Sequence, residues 1–378
     1  MTRLRPVALA AGGTGGHVFP AEALAEELER RGRRVICLTD QRGARFGERF
    51  SAPEAYRLRA VSDSGRGPLG RMAAYFEIGV SVLQARRVLA RSRAAAVIGF
   101  GGYPAIPAVL AGGLLGLPTA LHEQNAVLGR SNRFLAGRVQ AIGLGFPHTA
   151  RLPASLQAKV VVTGNPLGSR VTALTNRGYV APGQGEPFNF LVVGGSQGAR
   201  MLSEAVPAAL ALLLPAQRRR LALTLQCRPE DREATAASLA RHEIRAELAS
   251  FFSDLPERLA DSHLVLARSG AGTVAELAAI GRPALLAPYP FAADDHQSAN
   301  AQAMVAAGGA WLVQDADLEP RALATRLAEL MAEPQRLAAS AERARAFGRP
   351  RATAVLADLL EGLLAQADCP VVETRRAA

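Results

Sequence analysis

Three glycine-rich turns carry the residue types best suited to chemistry: Gly12-Gly13-Thr14-Gly15-Gly16-His17, Gly194-Gly195-Ser196-Gln197-Gly198 and Ser269-Gly270-Ala271-Gly272-Thr273. Glycines between a strand and a helix let backbone N–H groups close on a phosphate, and the helix N-terminus adds the positive end of its dipole. In the third turn the Ser and Thr hydroxyls add donors that suit a diphosphate. Glu276 follows in the first helical turn, where it either accepts hydrogen bonds from ribose hydroxyls or compensates the dipole. His17 closes the first turn where a helix begins. A cationic ring is disfavoured beside that dipole end, so the imidazole is expected to stay neutral and able to accept a proton. A histidine satisfied by its neighbours for structural reasons gives the same pattern. The first two turns lack the glycine spacing of a dinucleotide fingerprint, and Asp40, the one carboxylate a nicotinamide reading could use, is more simply a turn residue.

Such turns need strands and helices to hold them. Residues 7–11 and 190–193 are apolar runs, each followed by a glycine turn and then a helical pattern: Leu24, Ala25 and Leu28 in a helix after Pro20 that Gly32 ends, and Leu202, Val206, Leu210 and Leu213 in the second case. The two turns lie about half the chain apart. Residues 34–39, 159–163, 221–226, 264–267 and 284–287 read as further strands alternating with helices, and residues 274–280 as a helix closed by Gly281. That alternation predicts an α/β fold with parallel sheets. The turn-rich segment after Gly164-Asn165-Pro166 marks a boundary. The expected organisation is a first domain over 1–166 completed by a helix over 348–366, a second over 167–347, and a frayed tail over 367–378.

Composition narrows the partners. The 378 residues include 44 Lys+Arg against 33 Asp+Glu, a net charge of +11, with Lys159 the one lysine. That bias favours phosphates or an acidic membrane surface. Aromatics make up 5%, thin for a protein that stacks bases, and no nucleic-acid recognition module is present, so no nucleic acid is expected as partner. Cys37, Cys227 and Cys369 stand apart from one another and from histidines, which indicates neither a zinc site nor a disulfide framework and fits a reducing compartment. The N-terminus does not read as a secretory signal. Residues 94–121 lack charge over a length that would span a membrane, but six glycines and three prolines interrupt them, so they read as strand 95–100, a glycine turn, a short helix and a strand near Thr119. Asp315-Ala316-Asp317 matches a metal-binding Asp-x-Asp literally, yet it precedes a helix start and reads as capping. Met72, Tyr75, Phe76, Val80 and Leu83 form an apolar face flanked by Arg71, Arg86, Arg87, Arg91 and Arg93. This suits an interfacial helix at acidic headgroups or a core helix with solvated arginines.

Seven motifs in order carry a resemblance: GGTGGHVFP (12–20), GFGGY (99–103), LHEQN (121–125), GNP (164–166), GGSQGAR (194–200), RSGAGTVAE (268–276) and the stretch holding Asp295, Gln297 and Asn300. Together they resemble the MurG family, bacterial transferases that move N-acetylglucosamine from UDP-N-acetylglucosamine to undecaprenyl-pyrophosphoryl N-acetylmuramoyl pentapeptide in peptidoglycan synthesis. The resemblance implies two Rossmann-like domains facing a cleft, the GT-B architecture, with the nucleotide sugar held mainly by the second domain and the lipid acceptor by the first. It implies an inverting transfer to the acceptor's 4-hydroxyl with no metal or other cofactor, at the cytoplasmic side of the inner membrane. By motif, Thr14, Gly15, Gly16 and Asn125 would face the sugar, Ser196 and Ala271-Gly272-Thr273 would hold the diphosphate, and Glu276 the ribose. Phe252 would meet the uracil through its main chain, and Gln297 the hydroxyls of the transferred sugar. The family's arginine two residues after the proline of GNP is replaced by Gly168 here, and Arg170 is the nearby substitute. For the base that takes the acceptor's proton, His17 comes first, with Glu123 and His122 behind it. The alternatives are a two-lobed UDP-sugar transferase with a different lipid acceptor and a UDP-sugar epimerase of similar architecture.

Overall fold

The computed structural model describes residues 4–40, 54–59, 68–195 and 200–368. The chain divides into two compact units, one of Met1–Gln124, Leu128–Pro166 and Arg351–Ala378, the other of Asn125–Val127 and Leu167–Pro350.

Among the described residues the first unit is built on seven parallel strands: β1 (Val7–Ala10), β2 (Val35–Thr39), β3 (Ala55–Arg57), β4 (Ala96–Gly99), β5 (Thr119–Glu123), β6 (Ala141–Leu144) and β7 (Val160–Val162). They lie in the order β3-β2-β1-β4-β5-β6-β7, with Val7 level with both Val35 and Ala96. β1, β2, β4, β5 and β6 are buried along their whole length, as strands are when helices cover both faces of a sheet, and β5 carries the polar His122 and Glu123 into that interior. The uncharged stretch folds as β4, the helix Ala105–Leu114 and β5, and among the described residues no helix is long and apolar enough to cross a membrane. The helix Ala352–Asp368 packs Leu356, Ala357, Leu360 and Leu364 into the same core as Val7, Leu9, Leu24 and Leu28. Arg31 joins it at the rim, 2.7 Å from Asp358 and 2.8 Å from Glu361.

Among the described residues the second unit carries six parallel strands: β8 (Phe188–Val193), β9 (Leu221–Gln226), β10 (Ala246–Ala249), β11 (Leu264–Ala267), β12 (Ala284–Leu286) and β13 (Ala310–Leu312), in the order β10-β9-β8-β11-β12-β13. Phe188, Phe190 and Val192 of β8 meet Leu202, Val206 and Leu210 of the helix Arg200–Ala211. The helix Ala271–Ile280 ends at Gly281, whose φ of +73° only glycine adopts at little cost. Arg282 follows it, buried, its guanidinium bonded to the carbonyls of Ala260, Ile280, Gly281 and Gly178.

Two expectations need correction. The first helix starts at Gly15, not after Pro20, and runs to Arg30 with Pro20 inside it. Proline there deprives only the carbonyl of Gly16 of its intrahelical donor, and Gly16 is exposed to water. The helix Pro320–Ala332 is capped by Glu319, whose carboxylate accepts from the N–H groups of Arg321 and Ala322, whereas Asp317 accepts from Gln314 N at 2.9 Å.

In each sheet the strand order reverses once, between β1 and β4 and between β8 and β11. Parallel sheets bind ligands beyond the carboxyl ends of the strands flanking such a switch. The glycine turns at 12–16 and 101–102 follow β1 and β4, and those at 194–195 and 270–273 follow β8 and β11.

Candidate active site

In the first unit the two glycine turns touch backbone to backbone. Gly102 has a φ of +69°, and a Cβ there would lie 2.6 Å from the carbonyl oxygen of Gly12. Asp40 accepts the N–H of Gly13 at 3.2 Å and so holds the first turn closed. His17 Nδ1 lies 3.1 Å from the Gly12 carbonyl oxygen and 3.5 Å from Thr14 Oγ1. A carbonyl can only accept, so this bond assigns the ring proton to Nδ1 and leaves Nε2 as the basic nitrogen. That edge of the ring borders Gly101, where a Cβ would lie 3.2 Å from Nε2. His17 is half-buried, Thr14 and Gly16 are exposed and Gly15 is buried.

The other two base candidates sit differently. His122 is sealed in the core, donating from Nε2 to the Gly164 carbonyl at 3.0 Å and accepting at Nδ1 from Gln124 Nε2 at 3.1 Å. Burial pulls its pKa down to about 4, so the ring is neutral and both nitrogens are engaged. Glu123 is also buried, its Oε2 accepting from Gly129 N and Asn132 Nδ2, each at 2.9 Å.

The second unit gathers most of the remaining candidates at one sheet edge. Ala271, Gly272 and Thr273 open the helix after β11, where N–H groups have no intrahelical acceptor. Glu276 stands half-buried in the second turn of the same helix, not the first as expected, because the helix opens at Ala271 rather than Val274, and burial pushes its carboxyl up to about 7. Gln297, at the start of the helix His296–Ala306, accepts from Tyr289 N at 2.9 Å through its side chain and from Ser269 Oγ at 2.8 Å through its carbonyl. Asn300, fully buried, accepts from Ala126 N and donates to Asn125 Oδ1 and the Ser269 carbonyl. Phe252 is buried, with the Arg258 guanidinium 4.5 Å from its ring centroid. Arg170 reaches the same loop, donating to the Ser253 carbonyl and pairing with the Glu257 carboxylate. Gly168 has open space where a side chain would start. Ser196 lies outside the described residues.

Gln226 is a participant the sequence reading did not single out. At the end of β9 it accepts from Gly194 N and donates to the Ser250 carbonyl, each at 3.1 Å, tying the second glycine turn to the Phe252 loop. A polar residue ending an apolar strand, at the ligand-binding edge of a parallel sheet, is the signal that marks it.

Two doubly wound parallel sheets, each with glycine turns at its switch point, are the architecture of GT-B glycosyltransferases, and the chain matches the Glycosyltransferase family 28 N-terminal domain over residues 7–144 and the C-terminal domain over 189–356. It is 51% identical over 358 residues to the UDP-N-acetylglucosamine–N-acetylmuramyl-(pentapeptide) pyrophosphoryl-undecaprenol N-acetylglucosamine transferase of Paramagnetospirillum magneticum, covering 95% of this chain and 96% of that one. The crystal structure of Acinetobacter baumannii MurG superposes with a TM-score of 0.78 at 33% identity, covering 95% of this chain and all of the other (100%). The chain belongs to the MurG family of glycosyltransferases. The UDP-GlcNAc 2-epimerase of Neisseria meningitidis, at 14% identity, a TM-score of 0.64 and 94% and 100% coverage, shares the fold alone, and an epimerase is not favoured.

Proposed function

We propose that this chain transfers N-acetylglucosamine from UDP-N-acetylglucosamine to the 4-hydroxyl of the N-acetylmuramoyl group of undecaprenyl-pyrophosphoryl-N-acetylmuramoyl-pentapeptide, with inversion at the anomeric carbon. The observation that carries this reading is the 51% identity, over 95% of the chain, to a transferase of that name. In the proposed step the acceptor oxygen attacks the anomeric carbon, the bond from that carbon to the diphosphate oxygen breaks, and its electron pair leaves with UDP. The N–H groups and hydroxyl of Ala271-Gly272-Thr273, with Ser196, meet the charge that grows on the departing diphosphate. Fixed donors at a helix N-terminus perform that task, so the reading assigns no metal.

His17 Nε2 takes the acceptor's proton, because Nδ1–H is committed to Gly12. His122 is too deeply buried for the role. Glu123, whose carboxylate holds Gly129 and Asn132, is assigned to position its loop. Thr14, Gly15, Gly16 and Asn125 line the sugar's surroundings. Glu276 binds the ribose, the main chain at Phe252 the uracil and Gln297 the sugar hydroxyls. Arg170 contributes by fixing the Phe252 loop, through Ser253 and Glu257. The first domain ends at Pro166 and is completed by the helix Ala352–Asp368. Radiolabelled UDP-N-acetylglucosamine mixed with the lipid acceptor tests the whole reading: label in the lipid fraction is the expected result, and label released only as free sugar or retained on the nucleotide refutes it.

A lipid acceptor places the work at a membrane surface. Phe76 and Leu83 are exposed on the helix Pro68–Ser92, and Arg86, Arg87 and Arg91 beside them are exposed too, while Ala85 and Leu89 enter the core. The side chains of Met72 and Tyr75 lie outside the described residues. This pattern supports peripheral attachment to anionic headgroups on the cytoplasmic side of the inner membrane. Flotation with anionic vesicles at low salt is the check; a chain left in the bottom fraction, with none rising with the vesicles, rejects attachment.

A further inference from the structure

We infer that Ser269 is a positioning residue that sets the sugar-binding end of the helix His296–Ala306 relative to the diphosphate turn, an inference resting on the donor site proposed above. Ser269 is fully buried between β11 and Gly270, so it has no route to a ligand of its own. It is bonded twice to one turn of the neighbouring helix. Its hydroxyl donates to the Gln297 carbonyl at 2.8 Å, and its carbonyl accepts from Asn300 Nδ2 at 3.1 Å.

The Gln297 side chain is fixed by a different segment. Its Oε1 accepts from Tyr289 N at 2.9 Å, and the strand end before Tyr289 is itself held by Arg268, which donates to the carbonyls of Ala287 and Pro288 at 3.2 and 2.7 Å. With Oε1 engaged in this way, the amide assigned from the network offers its Nε2 hydrogens to a ligand. Gln297 therefore recognises an oxygen that accepts, such as a sugar hydroxyl, in a place defined by Arg268 and Ser269 together. Deleting the Ser269 hydroxyl frees the Gln297 carbonyl from the turn while leaving the N–H groups of residues 271–273 untouched. Sugar recognition and diphosphate recognition should then separate.

Calorimetry with UDP and with UDP-N-acetylglucosamine reads that separation on the full chain. Ser269→Ala should weaken UDP-N-acetylglucosamine about tenfold while UDP stays within about twofold, the scale of one lost hydrogen bond. Ser269→Cys, close in volume but a weak donor, should follow Ala, which guards against a packing effect in either variant. Equal weakening of both ligands, or no change in either, overturns the inference. Failure of the unaltered chain to bind either ligand instead removes the donor site on which it stands.

Discussion

His17 Nδ1 and the carbonyl oxygen of Gly12 lie 3.1 Å apart, so the turn that His17 closes also dictates which of its nitrogens is basic. His17→Ala should cost about 10²-fold or more in turnover, the usual yield of a positioned general base, with UDP affinity kept because the proposed UDP site lies in the second unit. Steady-state kinetics beside UDP titration check both halves. Turnover near that of the unaltered chain would remove His17 from the role.

Glu276 makes the chain sensitive to pH in an unusual direction. Its carboxyl, ordinarily at 4.5, is raised by burial to about 7, so across that window the folded chain binds a proton the unfolded chain has released. Stability from this group is present at low pH and is lost as pH rises from about 4.5 through about 7. Glu276→Gln should flatten that part of the stability profile in urea titrations run at several pH values. Ribose hydroxyls donating to the carboxylate favour its charged form, so UDP binding near neutral pH should release a proton. A calorimetric enthalpy that does not vary with the buffer's ionisation enthalpy would count against the ribose contact.

His122 acts with the opposite sign. Burial lowers it from 6.5 to about 4, so within that window the unfolded chain binds a proton the folded chain refuses. Its contribution is intact above about 6.5 and is lost as pH falls toward 4. His122→Gln should show a shallower loss of stability with acid than the unaltered chain, by the same urea series. Identical slopes would mean that the buried ring titrates as if exposed.

Gly102 tests whether the meeting of the two glycine turns matters. An alanine there combines a φ of +69° with a Cβ 2.6 Å from the Gly12 oxygen, and should cost about 1–3 kcal/mol of stability. Because the displaced carbonyl is the one that orients His17, turnover should fall while UDP affinity stays level.

The glycine turns are legible in sequence because strand, turn and helix follow one another locally, and the apolar period changes at each turn. The start of the first helix is not, since two glycines and Pro20 argue against a helix that the turn nevertheless begins. Gln226, Ser269 and Asn300 are harder still. Their partners, Ser250, Gln297 and Asn125, come from other segments of the chain brought to the same sheet edge, and no local spacing encodes that meeting. Arg170 shows the same limit: its position after GNP suggests a ligand contact, whereas its guanidinium is occupied by Glu257 and Ser253.

The return of the helix Ala352–Asp368 to the sheet of β1 to β7 has a consequence for synthesis. Leu356, Leu360 and Leu364 fill a core whose other walls leave the ribosome hundreds of residues earlier. The opening sheet must therefore wait with an uncovered oily flank while the second unit, contiguous from Leu167 apart from three residues, is free to fold. Nascent chains halted before residue 352 should be clients for chaperones and targets for proteases, although every strand of both sheets has already been made.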